Sequence, residues 1–174
     1  ARLVKSTIFY AISDFAAKHW AQYSSTSIDR TVVIYNEVDE IFYREFEDKR
    51  QLRESLDLPQ DAKIVIFCGR LAEYKDFQLV WEALSVIVSE LNILILFVGS
   101  VDANVKGSQE IVDNLKNKIQ NNKLSEHVRF LGWRDDVSDL LAASDVLAHP
   151  TQIEAFGLSL VEALAVGLPV ASTN

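Results

Sequence analysis

Lys63–Cys68 reads KIVIFC, and Ile93–Val98 reads ILILFV. Each is a short apolar run rich in β-branched residues and without polar alternation. Such a run predicts a strand buried on both faces. A glycine closes each one, Gly69 and Gly99. Between them, Asp76–Leu91 carries Phe77, Val80, Ala83, Leu84, Ile87 and Leu91 at helical spacing. Strand, helix and strand in that order predict a βαβ unit and a parallel sheet.

The alternation continues outward. Ser108–Asn121 puts Ile111, Val112, Leu115 and Ile119 on one helical face, and Val128–Leu131 is a third strand closed by Gly132. Asp136–Ala143 is a short helix. Asp145–His149 is a fourth strand stopped by Pro150, with Asp145 stabilising its start. Gly157–Val166 is helical, Gly167 ends it, and Pro169–Ser172 begins a fifth strand. The pattern predicts an α/β, Rossmann-like fold, a parallel sheet with helices on both faces.

The first sixty residues differ. Thr7–Ile12 is a strand candidate, and Asp14–Tyr23 is a helix with Ser13 as N-cap. Ser24–Ser27 is a polar break, Thr31–Tyr35 a strand, and Asn36–Asp39 a turn. Glu47–Leu56 is a charged helix, with the run Glu45–Glu54 read as a solvated face. Ser24–Arg30 is the best boundary. The chain begins in what reads as mid-domain and stops at Asn174 directly after a strand, as a truncated piece of a longer protein does.

Bulk properties narrow the function. A net charge of -8 argues against nucleic acid, whose phosphates demand a broad basic surface. Cys68 is the single cysteine, so no intrachain disulfide forms. No run approaches the ~20 apolar residues of a membrane span, and the N-terminus lacks a signal-peptide layout. The expected location is cytoplasmic. His19, His127 and His149 are scattered, and no metal-ligand cluster is evident. Trp20 and Trp81 read as core or interface anchors, and Cys68 as a buried small hydrophobe.

Ligands of a doubly wound sheet bind at the carboxyl ends of its strands, so the loops there carry the chemistry. Gly69, Gly99 and Gly132 stand at three such ends, where glycine admits close backbone approach. Arg70 and Lys75 share the first loop, five positions apart. They suit a phosphate, Arg through two donors and Lys as a point charge. The plainer alternative is a surface salt bridge with Glu73 or Asp76. Gly157 opens a helix, whose unpaired N–H groups favour an anion. Glu154 and Glu162, eight positions apart, suit sugar or ribose hydroxyls as hydrogen-bond acceptors. Their plainer alternative is a dipole-complementing glutamate and a solvated one.

The string Glu154–Ser172, EAFGLSLVEALAVGLPVAS, resembles the signature of the retaining GT-B glycosyltransferases of family 4. That signature is a glutamate, Phe-Gly-Leu, a second glutamate eight positions on, and Gly-Leu-Pro-Val. Phe67–Lys75 (FCGRLAEYK) resembles the family's Gly-Arg-Leu and following lysine. Val128–Trp133 and Ser144–Pro150 resemble its intervening strands, and Asn36–Asp39 its crossover turn. The resemblance covers roughly Thr7 to the end.

It implies the C-terminal, donor-binding half of a GT-B enzyme. Residues 1-28 would be a remnant of the acceptor domain, 29-60 a crossover linker and helix, and 61-174 the nucleotide-sugar domain, truncated at its C-terminal end. Arg70 and Lys75 would bind and stabilise the leaving diphosphate. Glu154 would contact the donor sugar near the reacting carbon. Gly157 and Leu158, after Phe156, would offer N–H groups to the distal phosphate. Glu162 would hold the ribose, and Gly69, Trp133 and Arg134 would line the nucleotide, Trp133 either there or in packing. The donor would be a UDP-, GDP- or ADP-sugar, with no metal or other cofactor. The acceptor would be a glycan or lipid-linked molecule, reached through the absent N-terminal domain. Peripheral membrane association at the inner face is implied for some partners. This chain alone is not expected to transfer sugar. The alternatives are a non-catalytic nucleotide-sugar-binding fragment, or another GT-B enzyme such as a sugar-nucleotide epimerase or phosphorylase. A receiver domain lacks support, because no acidic cluster at the end of the first strand accompanies a phosphorylatable Asp. Asp76 and Glu37 depart from the family's glycines, and Asp76 is expected to cap the next helix instead of touching ligand.

Overall fold

The computed structural model describes residues 8–24, 27–88 and 90–173. Thr7 of the first expected strand, Ser25 and Thr26 of the polar break, Ser89 of an expected helix and Asn174 lie outside them. The chain divides into two compact units. The first is Ala1–Val38 with Glu154–Leu158, and the second is Asp39–Ile153 with Ser159–Asn174.

In the first unit, β1 (Phe9–Ala11) leads into α1 (Asp14–Tyr23), and β2 (Thr31–Val33) returns parallel to β1. Ser13 starts α1 as expected, its hydroxyl accepting from the Ala16 N–H at 3.0 Å. The same Ser13 hydroxyl donates to the carbonyl of Ala155. Tyr35 donates to Asp14 at 2.6 Å, and its ring lies 6.3 Å from that of Phe156. These contacts are why the short segment around Ala155 belongs to this unit. Trp20, expected as a core or interface anchor, is 55% exposed and so is no part of this unit's core. Its helix is only ten residues long, and of these Ala17 alone is buried.

The second unit begins with α2 (Lys49–Ser55), followed by β3 (Lys63–Cys68), α3 (Phe77–Leu84), β4 (Ile93–Val98) and α4 (Ser108–Asn121). Then come β5 (Val128–Gly132), α5 (Val137–Ala143), β6 (Val146–His149), α6 (Leu158–Ala165) and β7 (Val170–Ser172). The five strands lie in the order β5-β4-β3-β6-β7, all parallel. Ile64, Ile66, Phe67 and all of Ile93–Val98 are buried, as strands covered on both faces require. This is the expected Rossmann-like sheet flanked by helices.

The expected Asp76–Leu91 helix ends at Leu84 and gives way to turns. Val86, Ile87 and Val88 follow, and a β-branched run loses side-chain freedom in a helix. The turn still buries Val88 completely. That is why the apolar spacing outlasts the helix.

The charged run before β3 is no uniformly solvated face. Arg53 is buried, donating to the carbonyls of Ala143 (3.0 Å), Gln60 (3.1 Å) and Ala62 (3.1 Å) and to Asp145 (2.8 Å). Asp145 also accepts from Lys49 at 2.8 Å and from the Ile64 N–H at 2.7 Å. It thus ties α2 to the starts of β3 and β6, more than its expected role at one strand start. Burial pushes its carboxyl up, but Lys49, the Ile64 N–H and Arg53 outweigh this and hold it below the ordinary aspartate range.

Candidate functional site at the carboxyl ends of the strands

Strand order reverses between β3 and β6: β3, β4 and β5 follow one another toward one edge of the sheet, and β6 and β7 toward the other. The crevice at such a switch point is where open α/β sheets take ligands. The loop leaving β3 carries Gly69, Arg70 and Lys75, and the loop leaving β6 begins at Pro150.

Backbone hydrogen bonds join the neighbouring strand ends. The Gly69 N–H donates to Val98 at 2.9 Å, and the Gly99 N–H to Gly132 at 2.7 Å. Beyond them, the Leu71 N–H donates to Ser100 at 2.8 Å, and Leu71 bridges Val101 in parallel. The loops after β3 and β4 therefore run together for several residues past the sheet. At Gly99 a Cβ would overlap the Gly69 carbonyl, and the backbone has φ +135°. Glycine is required there for both reasons.

This pairing sets Asp102 beside Arg70. Arg70 Nη1 donates to Asp102 Oδ2 at 2.8 Å, and the Tyr74 hydroxyl reaches the same oxygen at 3.3 Å. Asp102 Oδ1 accepts from the Asn104 N–H at 3.0 Å. The Asp102 side chain is 4% exposed, whereas that of Arg70 is 65% exposed. The salt bridge foreseen for Arg70 with Glu73 or Asp76 is thus made instead with Asp102. Glu73 and Asp76 belong to the turn that carries Lys75, whereas Asp102 comes in from the neighbouring loop. Two cations lie near the Tyr74 ring, the Arg70 guanidinium at 5.6 Å and Lys75 Nζ at 5.9 Å from its centroid.

Asp76 precedes α3 in the left-handed region at φ 50°, and its side chain makes no cap hydrogen bond to the helix. The expected cap is replaced by a link across the switch point, in which Gln152 Nε2 donates to Asp76 Oδ2 at 2.5 Å. The left-handed backbone is one glycine adopts freely, and aspartate tolerates it better than most residues.

Glu162 lies on α6, half-buried, and burial raises its carboxyl above the ordinary glutamate range. Burial also pushes the Cys68 thiol far above its usual value, and the Glu162 charge adds to the rise. Glu162 therefore acts on the carboxyl end of β3. Cys68 is the buried small residue foreseen.

The loop after β5 holds Trp133, 73% exposed. Arg134 turns onto Asp136, with Nε 2.7 Å from Oδ1 and a second bond from Nη2. His149 is buried at the end of β6, with Nε2 3.5 Å from the Thr151 hydroxyl oxygen. In the first unit, Glu154 Oε1 accepts from the Ala155 N–H at 3.1 Å. Gly157 (φ 82°) comes directly before α6. Among the described residues, no group of three His, Cys, Asp or Glu side chains is placed to hold a metal ion. No described helix is long and apolar enough to cross a membrane.

Residues 48–174 match the family model described as glycosyl transferases group 1. This chain belongs to the group 1 glycosyl transferases. It is 33% identical over 81% of its length to the N-acetyl-alpha-D-glucosaminyl L-malate synthase of Bacillus anthracis, covering 35% of that protein. It is 36% identical over 70% of its length to the lipopolysaccharide core biosynthesis glycosyltransferase LpsE of Rhizobium meliloti, covering 33% of it. The chain thus spans about a third of the length of these curated relatives. Among solved structures, Anabaena Alr3699/HepE in complex with UDP and glucose superposes with a TM-score of 0.82 at 28% identity. That match covers 95% of this chain and 44% of HepE. The five-stranded unit of this group 1 chain is the Rossmann-like sheet of GT-B glycosyltransferases.

Tyr74 and Asp102 were not singled out from sequence. Sequence reasoning singles out Gly99 at the end of β4, three positions before Asp102. A carboxylate just past a strand-end glycine, on the loop next to a pair of cations, is the signal that finds it.

Proposed function

We propose that this chain is the donor-binding part of a retaining, family 4 glycosyltransferase. Its protein would transfer a hexosyl group from a nucleoside-diphosphate sugar to a glycan or lipid-linked acceptor. The observation that carries the reading is the placement of Arg70 and Lys75 on the β3 loop at the switch point. The UDP and glucose held by HepE favour a UDP-sugar, ahead of GDP- or ADP-sugars.

In this reading Arg70 and Lys75 bind the diphosphate and stabilise the charge that grows as it leaves. Glu162 accepts from the ribose hydroxyls. Gly69, Trp133 and Arg134 line the nucleotide, for which Arg134 exchanges its bond to Asp136. By the motif alone, Glu154 contacts the donor sugar, and Gly157 and Leu158, after Phe156, offer N–H groups to the distal phosphate. The acceptor oxygen bonds to the anomeric carbon on the face from which the diphosphate departs. The C–O bond to phosphate breaks with its electron pair on the diphosphate, which takes the acceptor's proton. The scheme uses no metal ion or other cofactor.

Residues 1-28 are assigned to the acceptor domain, 29-60 to the crossover and 61-174 to the donor domain. Transfer then requires more of the acceptor domain than this chain carries. A cytoplasmic site of action, at the inner face of the membrane for lipid-linked acceptors, completes the proposal. The test offers a panel of nucleotide-sugars and candidate acceptors to the protein that carries this chain, with products read by mass spectrometry. A glycosylated acceptor with the anomeric configuration of the donor is expected. An inverted product, or an epimerised donor without transfer, would contradict it.

A further inference from the structure

We propose that Asp102 is a positioning residue for the donor diphosphate, acting through Arg70 and resting on the donor-site reading above. The β3 and β4 loops are joined at Leu71–Ser100 and Leu71–Val101, so Asp102 is delivered by backbone pairing. Its side chain is 4% exposed and both its oxygens are occupied, Oδ1 by the Asn104 N–H and Oδ2 by Arg70 and the Tyr74 hydroxyl. A carboxylate bound this way has little freedom to move. Arg70, by contrast, keeps 65% of its side chain exposed.

One bond through Nη1 and one ring face 5.6 Å away fix the guanidinium on its inner side. An arginine has five donors, and a single carboxylate oxygen engages one nitrogen. The outward nitrogens are the ones that would meet phosphate oxygens. A long side chain held in place before binding loses less entropy when it binds. Asp102 thus makes Arg70 a prepared hydrogen-bond donor to the diphosphate, and the Tyr74 hydroxyl steadies the same oxygen.

The opposite effect is physically available. A carboxylate beside Arg70 cancels part of its charge and competes with an anionic ligand. The two effects have opposite signs, so one experiment separates them. UDP, GDP and ADP, each beside its own nucleoside, are titrated calorimetrically into the protein that carries this chain and into its Asp102→Asn, Arg70→Ala and double variants.

Asp102→Asn is expected to weaken diphosphate binding about tenfold while nucleoside binding stays within about twofold. In the Arg70→Ala background the same change is expected to do almost nothing, because its effect passes through Arg70. A general structural defect would lower both ligands and would persist without Arg70. Tyr74→Phe, at a partly exposed site, provides a second reading if Asp102→Asn does not fold. It is expected to lower diphosphate binding about twofold and leave the nucleoside unchanged.

Unchanged or tighter diphosphate binding in Asp102→Asn overturns the inference and leaves the donor site standing. So does an effect that persists in the Arg70→Ala background. For Tyr74→Phe, diphosphate binding equal to the wild type does the same. A wild-type protein carrying this chain that binds none of the three diphosphates overturns the donor site and the inference together.

Discussion

The backbone of Gly99 lies so close to the carbonyl of Gly69 that no side chain fits between them. That approach brings the β4 loop against the β3 loop and so sets Asp102 beside Arg70. Gly99→Ala must displace the β3 loop and also adopt an unfavourable φ. A loss of about 2–4 kcal/mol is expected in denaturant unfolding. Diphosphate affinity should fall with it. A variant as stable as the wild type would show that the loops part without cost.

Arg70→Ala removes charge-assisted donors from a mostly exposed position, so the fold should survive. Diphosphate affinity is expected to fall about 10- to 100-fold, from hydrogen bonds to a charged group worth about 1.5–3 kcal/mol. Nucleoside affinity should hardly change. Equal losses for both, measured calorimetrically, would contradict a phosphate role.

Asp145 predicts the acid behaviour of the five-stranded unit. Its carboxyl is held below the ordinary value of 3.8. The unfolded chain takes up its proton first as pH falls. Its stabilisation is therefore complete above the ordinary value and lost as pH falls through the native one. Asp145→Asn should flatten the stability curve in that window. At neutral pH it should cost about 2–3 kcal/mol, since Arg53 is left buried without its charge partner. Urea unfolding at stepped pH measures both.

Glu162 runs the other way. Burial raises its carboxyl above the ordinary glutamate value of 4.5. Between that value and the native one, the folded state holds more protons, so stability falls as pH rises, and above both the full penalty remains. Glu162→Gln should therefore stabilise the chain at pH 7. It should weaken nucleoside binding at the same time if Glu162 holds the ribose. A stabilised variant with unchanged nucleoside affinity would remove it from the site.

The sheet was legible because β3 and β4 are wholly apolar and glycines close them. Nothing but a doubly covered strand suits such runs. The Arg70–Lys75 loop was legible for the same reason, being the segment that leaves β3. Helix ends were less so, since Val88 stays in the core after α3 has stopped. Arg53 and Asp102 were hidden because burial of a charge depends on partners distant in sequence. Arg53 meets Ala143 and Asp145, some ninety positions on. A run of charges before a strand carries no mark of which one turns inward. Trp20 shows the converse, an aromatic on a helix whose burial no local pattern decides.

Titration of the protein that carries this chain with UDP, GDP and ADP tests the donor-site account most directly. Saturable binding of at least one, competed by its nucleotide-sugar and weakened by Arg70→Ala, is the predicted result. Failure of all three to bind that folded protein would contradict it.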